Sequence, residues 1–230
     1  MGYATIQGRH VYYNFPQEAE ANIRKGFSLF MVHGYYDNHV SWSSQYLHLE
    51  HEHNPLVIDL PGHGDSQGPP LNNSQDFRRF IKAFVEVLDI EPFVFLGHSM
   101  GGSMALDFAI HYPDSLNGII LINTATRSRD FQTLIEMWKI NPKRARNYSI
   151  INSFSAKTPS HIRERYNRRT SDTPDEVCLA DIENCASYNL DSKINKIELP
   201  TLVIYGNEEN LPNDSTIFNS TSINIFVINC

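Results

Sequence analysis

Short apolar runs alternate with stretches of helical periodicity along most of this chain. Residues 27–32 form a near-continuous apolar run, the pattern of a strand buried on both faces of a sheet. A second run, residues 55–59, ends at the turn-forming Pro61-Gly62-His63-Gly64-Asp65. Further strands are predicted at residues 92–96, 118–122, 201–205 and 223–228, and a hairpin at Thr5-Ile6 and Val11 to Tyr13. Between them, Ser74 reads as the N-cap of a helix whose core face carries Phe77, Phe80, Ile81, Phe84, Val85 and Leu88. A second helix is predicted from Met104 to Tyr112, ended by Pro113. Strand–helix alternation of this kind predicts an α/β fold, a mostly parallel sheet with helices on both faces.

Residues 126–195 break the alternation. They read as mostly helical, with interruptions at Pro142, Pro159 and Pro174, and are expected to form a cap inserted between two strands. The expected organisation is therefore a first core part over 1–125, the cap over 126–195, and the final strands over 196–230. Charge marks the same segment. Residues 139–169 hold nine basic side chains and one acid, Glu164, in a chain whose formal net charge is −7. An overall acidic balance disfavours a nucleic-acid partner. No apolar run reaches the roughly 20 residues that span a bilayer, and residues 1–7 lack the basic and apolar regions of a signal peptide. A cytoplasmic protein with no membrane partner is expected. Cys178, Cys185 and Cys230 form no metal-binding spacing; on one helix, Cys178 and Cys185 stand about 10 Å apart in rise, too far for a disulfide.

The chemistry concentrates at Gly97-His98-Ser99-Met100-Gly101-Gly102, a G-x-S-x-G sequence with a strand before it and a helix after it. A sharp strand-to-helix turn would lift the Ser99 hydroxyl above the sheet edge, and glycine at 97 and 101 permits the close approach such a turn needs. The Met100 N–H, at the helix N-terminus, then faces a developing oxyanion. His33-Gly34-Tyr35 follows the first apolar strand, where the Tyr35 N–H is the candidate second donor and His33 orders the loop.

His33-Gly34, Asp59-Leu60-Pro61-Gly62-His63-Gly64-Asp65-Ser66, the elbow and Tyr112-Pro113 together resemble the α/β-hydrolase superfamily, most of all its small cap-bearing esterases, lactonases and carbon–carbon bond hydrolases. The resemblance implies that Ser99 is a nucleophile and that Asp59 and His63 are structural. It places the orienting acid after the strand 201–205, at Glu209 with Glu208 as the neighbouring option. It places the general base one to three residues beyond the last strand. There the chain reaches Asn229 and Cys230 and stops, so the base and the final helix are expected to be missing. His98 is expected to project away from the site, His111 lies down the following helix, His161 sits in the cap, and His48, His51 and His53 read as a solvated helix end.

Two readings follow. One is a serine hydrolase of a carboxylic ester, thioester or lactone, impaired by the absent histidine; the other is a non-catalytic small-molecule-binding protein or fragment. No metal or organic cofactor is implied. The uncovered sheet face is expected to favour marginal stability or self-association. Arg163, Arg165, Arg168 and Arg169 raise the further expectation of an anionic substrate.

Overall fold

A computed structural model describes residues 1–16, 26–90, 92–127, 131–206 and, for the backbone alone, 225–229. One eight-stranded sheet runs through it in the order β1-β2-β4-β3-β5-β6-β7-β8. β1 (Gly2–Ile6) and β2 (Arg9–Asn14) form the hairpin and pair antiparallel. β2 also pairs antiparallel with β4 (Asn54–Ile58). From there β3 (Ser28–Val32), β5 (Phe93–His98), β6 (Leu116–Ile122), β7 (Thr201–Tyr205) and β8 (Ile225–Asn229) are parallel. β3 and β4 are buried at every residue, which is why their sequences show no alternation.

Each face of the sheet has its own cover. Phe30, Phe93 and Phe95 on one face pack with Phe80 and Phe84 of α2 (Ser74–Val87) and Phe108 of α3 (Met100–His111) in a single aromatic core. On the other, Leu29, Met31, Val57 and Leu96 meet Trp42 and Tyr46, the latter from α1 (Ser43–Leu49). Farther along that second face, Val94, Ile120, Ile122, Leu202 and Ile204 are only half-buried.

Local chemistry moves two boundaries from their expected places. The N-cap of α2 is Asn73, not Ser74: Asn73 has extended backbone and its side chain accepts from the Asp76 N–H, while Ser74 is already helical. α3 begins at Met100, four residues earlier than the periodicity predicts, because its first turn is built from the elbow glycines rather than apolar residues.

Between β6 and β7 lie α4 (Gln132–Ile140), α5 (Pro142–Asn152), α6 (Ser160–Thr170) and α7 (Asp175–Ser187). Their prolines start helices. Pro142 opens α5, and Pro159 and Pro174 immediately precede α6 and α7, where a missing N–H costs nothing. These helices keep a separate apolar cluster of Leu134, Ile135, Trp138, Ala145, Cys178 and Ile182, which takes in one outside residue, the fully buried Tyr36. Cys178 and Cys185 both lie on α7 as free thiols; Cys230 lies outside the described residues.

Candidate functional site

The turn between β5 and α3 holds Ser99 at φ +52°, ψ −112°, in the left-handed region that a β-carbon disfavours. Its backbone is over-determined: the Ser99 N–H donates to Ile122 O at 2.9 Å, and Ser99 O accepts from Gly102 and Ser103. There is no room for a side chain on either flank. A β-carbon at Gly97 would stand 2.3 Å from the Gly101 carbonyl carbon, and one at Gly101 would stand 2.4 Å from Val32 O. The elbow is thus packed backbone on backbone, α3 against both β5 and the end of β3.

Ser99 borders a cavity of about 850 Å³ together with Gly34, Tyr35 and Met100. Met100 opens α3, so its N–H has no acceptor within the helix. In the loop after β3, Tyr36 N–H donates to Asp181, Asp37 N–H to Gly34 O, Asn38 N–H to its neighbour Asp37, and His39 N–H to Asp59. Tyr35 N–H has no hydrogen-bond partner among the described residues. The structure therefore brings Ser99, Tyr35 and Met100 to one cavity, with Gly97 and Gly101 beneath them. Glu209 and Glu208 lie outside the described residues.

Every histidine of the chain is among the described residues, and of the ten only His98 lines the cavity. The strained turn carries the His98 ring against Gly34, whose β-carbon position is 3.1 Å from His98 Nδ1. Burial lowers its pKa, opposed by Asp37, so the ring is neutral at pH 7. His33 orders its loop as expected. Its Nδ1 donates to Gly34 O at 2.8 Å and its Nε2 accepts the Leu60 N–H at 3.2 Å, so the ring is the neutral Nδ1-protonated tautomer. Burial, reinforced by nearby His63, brings its pKa down to about 4.

Asp59, His39 and Asp65 offer ligand atoms within 4.8 Å of one another. The buried Asp59 carboxylate is already engaged: Oδ1 accepts from His39 N–H, and Oδ2 accepts from His39 Nδ1 and Asp65 N–H. The group ties the β4 turn to the loop after β3. His53 is likewise not simply solvated, since its Nδ1 accepts the Phe27 N–H.

Several basic side chains of residues 139–169 have specific partners. Arg169 makes a two-pronged pair with Asp37, both contacts at 2.8 Å. Arg146 donates to Thr170 O at the end of α6 and to Thr173 O in the turn that follows, and Arg163 to Ser155 O and Ala156 O. Arg165 and Arg168 do not line the cavity. The cavity lining mixes aromatic residues, among them Tyr35, Phe131, Tyr148, Phe154 and Tyr166, with polar ones such as Ser149, Asn152 and Ser153. Among the described residues, no helix is long and apolar enough to cross a membrane.

The sequence model of the alpha/beta hydrolase fold matches residues 28–217. A 2-hydroxy-6-oxo-6-phenylhexa-2,4-dienoate hydrolase of Comamonas testosteroni is 30% identical over 118 residues, 49% of this chain and 39% of that protein. An uncharacterized protein of Mycobacterium tuberculosis is 28% identical over 113 residues, 49% of this chain and 33% of that one. The chain thus spans about a third of the length of the curated relatives it matches. Among solved structures, an enol-lactonase from Burkholderia xenovorans LB400 superposes with a TM-score of 0.89 at 19% identity, covering 99% of this chain and 90% of that one. An esterase from Exiguobacterium antarcticum gives 0.86 at 18% identity, covering 100% and 90%. At such identities the likeness is one of fold.

Proposed function

Since this chain belongs to the α/β hydrolase fold family, we propose that it is built to hydrolyse an uncharged carboxylic ester, thioester or lactone through Ser99. The observation that carries the reading is the strained Ser99 backbone, held at φ +52° on the wall of a cavity. Strain of that kind persists where the surrounding structure enforces it, and it clusters at active sites. In the proposed reaction the Ser99 Oγ attacks the carbonyl carbon and gives up its proton. The carbonyl oxygen, now anionic, accepts from the Tyr35 and Met100 amides. The alcohol or thiol departs with a proton, and water releases the acid from the acyl-serine. α4–α7 serve as the cap over the bound substrate, and Glu209 is retained as the proposed orienting acid.

An uncharged substrate follows from the charge arrangement. Among the described residues the cavity wall carries two cations: Arg169 is engaged by Asp37, and Arg127 is largely exposed and 3.8 Å from Asp191. The aromatic residues of the lining suit an apolar acyl or alkoxy group. These observations argue against the anionic substrate that the basic segment suggests.

The ten histidines offer only His98 at the cavity, so the base is the weak point of this chain. Loss of the base in a serine triad costs about a millionfold in turnover. We expect slow hydrolysis of p-nitrophenyl acetate that added imidazole accelerates, beyond the imidazole-only background, in this chain and not in Ser99→Ala. Equal rates for the two proteins at every imidazole concentration would refute the nucleophile assignment. The same observation favours a second reading, a binding protein that holds neutral esters without turning them over. Saturable binding of a stable ester analogue, with no imidazole-dependent turnover, would select it.

A further inference from the structure

The loop that presents the Tyr35 amide is pinned residue by residue to α6, α7 and the turn between them. Tyr36 N–H donates to Asp181 Oδ2 at 2.8 Å, and Tyr36 O accepts from Thr173 Oγ1 at 3.0 Å. Asp37 is held by Arg169, and Asn38 Nδ2 donates to Arg169 O at 3.0 Å. The Tyr36 ring fills the apolar cluster of the four helices. On the other side, Gly34 rests on His98. The peptide carrying the Tyr35 N–H is therefore set between an elbow contact and a helix contact.

Asp181 is the unusual member of this set. It sits on α7, 1% exposed, and the same Oδ2 that accepts Tyr36 N–H lies 2.8 Å from His63 Nε2. Its Oδ1 is buried and makes no hydrogen bond among the described residues. A half-satisfied buried carboxylate is a poor device for stability alone, since apolar packing in its place would leave nothing unpaired. His63 explains how the charge is held. Its Nδ1 faces Pro61 O at 3.2 Å and its Nε2 faces Asp181, so both ring nitrogens face acceptors and the ring is an imidazolium. Burial opposes that charge, but Asp181, the Pro61 carbonyl and Asp59 outweigh it and raise the His63 pKa. The groups around His63 are Asp181 on α7, Asp59 in the turn after β4, and the neutral His33 ring with its centroid 4.8 Å away at the end of β3.

We propose that Asp181 is a positioning residue for the oxyanion hole, its carboxylate fixed by His63 so that the Tyr36 bond aims the adjacent Tyr35 N–H at the carbonyl over Ser99. The inference rests on the serine-hydrolase reading above. It makes the hole depend on pH. As pH rises through the elevated His63 pKa, the proton lost is the one on Nδ1, in the longer 3.2 Å contact to the neutral Pro61 carbonyl, while Nε2–H keeps its 2.8 Å bond to the Asp181 carboxylate. Asp181 then loses the imidazolium charge that fixes it, and the loop loosens. The charge-assisted hold is intact below that pH and weakened above it.

The experiment measures phosphonylation of Ser99 by a fluorophosphonate in the full chain between pH 6 and 9, with the rate of the bound complex and the affinity determined separately. Asp181→Leu is expected to lower the bound-complex rate about 10- to 100-fold with affinity nearly unchanged, since outright loss of one oxyanion donor costs 100- to 1,000-fold. Asp181→Asn keeps at that position a neutral oxygen that accepts from both Tyr36 N–H and the Nε2–H of neutral His63, so it should recover most of the lost rate and lack the alkaline decline. Wild-type rates in Asp181→Leu, or an unchanged alkaline decline in Asp181→Asn, would overturn the proposal. Should Asp181→Leu fail to fold, the Asn variant still decides through its pH profile. In parallel, ¹⁵N spectra of the wild type should show the Tyr35 and Tyr36 amides shifting with the His63 titration. No modification of Ser99, with the amides still tracking His63, would sink the hydrolase reading and leave the coupling intact. Labelled Ser99 with a Tyr35 amide blind to His63 would sink the coupling alone.

Discussion

Replacing Ser99 by glycine should stabilise this protein, although it deletes the reactive group. At φ +52°, ψ −112° the serine occupies a region open to glycine but strained for any residue with a β-carbon. Strain at such positions amounts to about 1–3 kcal/mol. Glycine returns part of that through the greater freedom of its unfolded chain, about 0.4–1 kcal/mol. The proper reference is Ser99→Ala, which also lacks the hydroxyl but keeps the β-carbon and hence the strain. Ser99→Gly is then expected to exceed Ser99→Ala by about 1–2 kcal/mol, or roughly 2–8 °C in Tm for a chain of this size. Calorimetry on the two variants, backed by urea titration to compare m values, provides the measurement. A glycine variant equal to or less stable than the alanine one would mean that position 99 carries no strain, and the elbow account would fall.

Three other outcomes follow from the same geometry. His33 should remain the neutral Nδ1-protonated tautomer until about pH 4, visible in its imidazole ¹⁵N shifts, whereas protonation near 6.5 would contradict its placement between Gly34 O and the Leu60 N–H. Because the unfolded chain binds that proton near 6.5 and the folded one only near 4, His33 contributes stability above pH 6.5 that is lost on acidification, about 3 kcal/mol over the interval. Arg169→Met strands the buried Asp37 carboxylate and should cost about 2–3 kcal/mol, less than a fully buried pair because Arg169 is 20% exposed. Adding Asp37→Asn should recover part of that loss in urea unfolding; strictly additive losses would show the pair to be uncoupled.

The strands and the elbow were legible because each is carried by neighbours in sequence. β3 and β4 announce themselves as unbroken apolar runs, and Gly97 to Gly102 encode a turn whose glycines sit where backbone meets backbone. The position of Tyr35 followed from the end of β3 for the same reason. What the sequence hid is long-range. Asp37 meets Arg169 and Tyr36 meets Asp181 across 132 and 145 residues, and no local pattern distinguishes these partners from solvated charges. The basic run of residues 139–169 read as a ligand-facing surface because guanidinium groups that cap helix carbonyls, as Arg146 does, look no different in sequence from free ones. Asn73 and Ser74 are both good caps, and only backbone conformation decides between them.

The most direct test is the identity of the residue that reacts. Incubation of the chain with a fluorophosphonate in the presence of imidazole, followed by intact mass measurement and peptide mapping, should show a single adduct on Ser99 that Ser99→Ala abolishes. Modification spread over several exposed serines, or none at position 99 while the protein is folded, would contradict the assignment of that hydroxyl as the nucleophile.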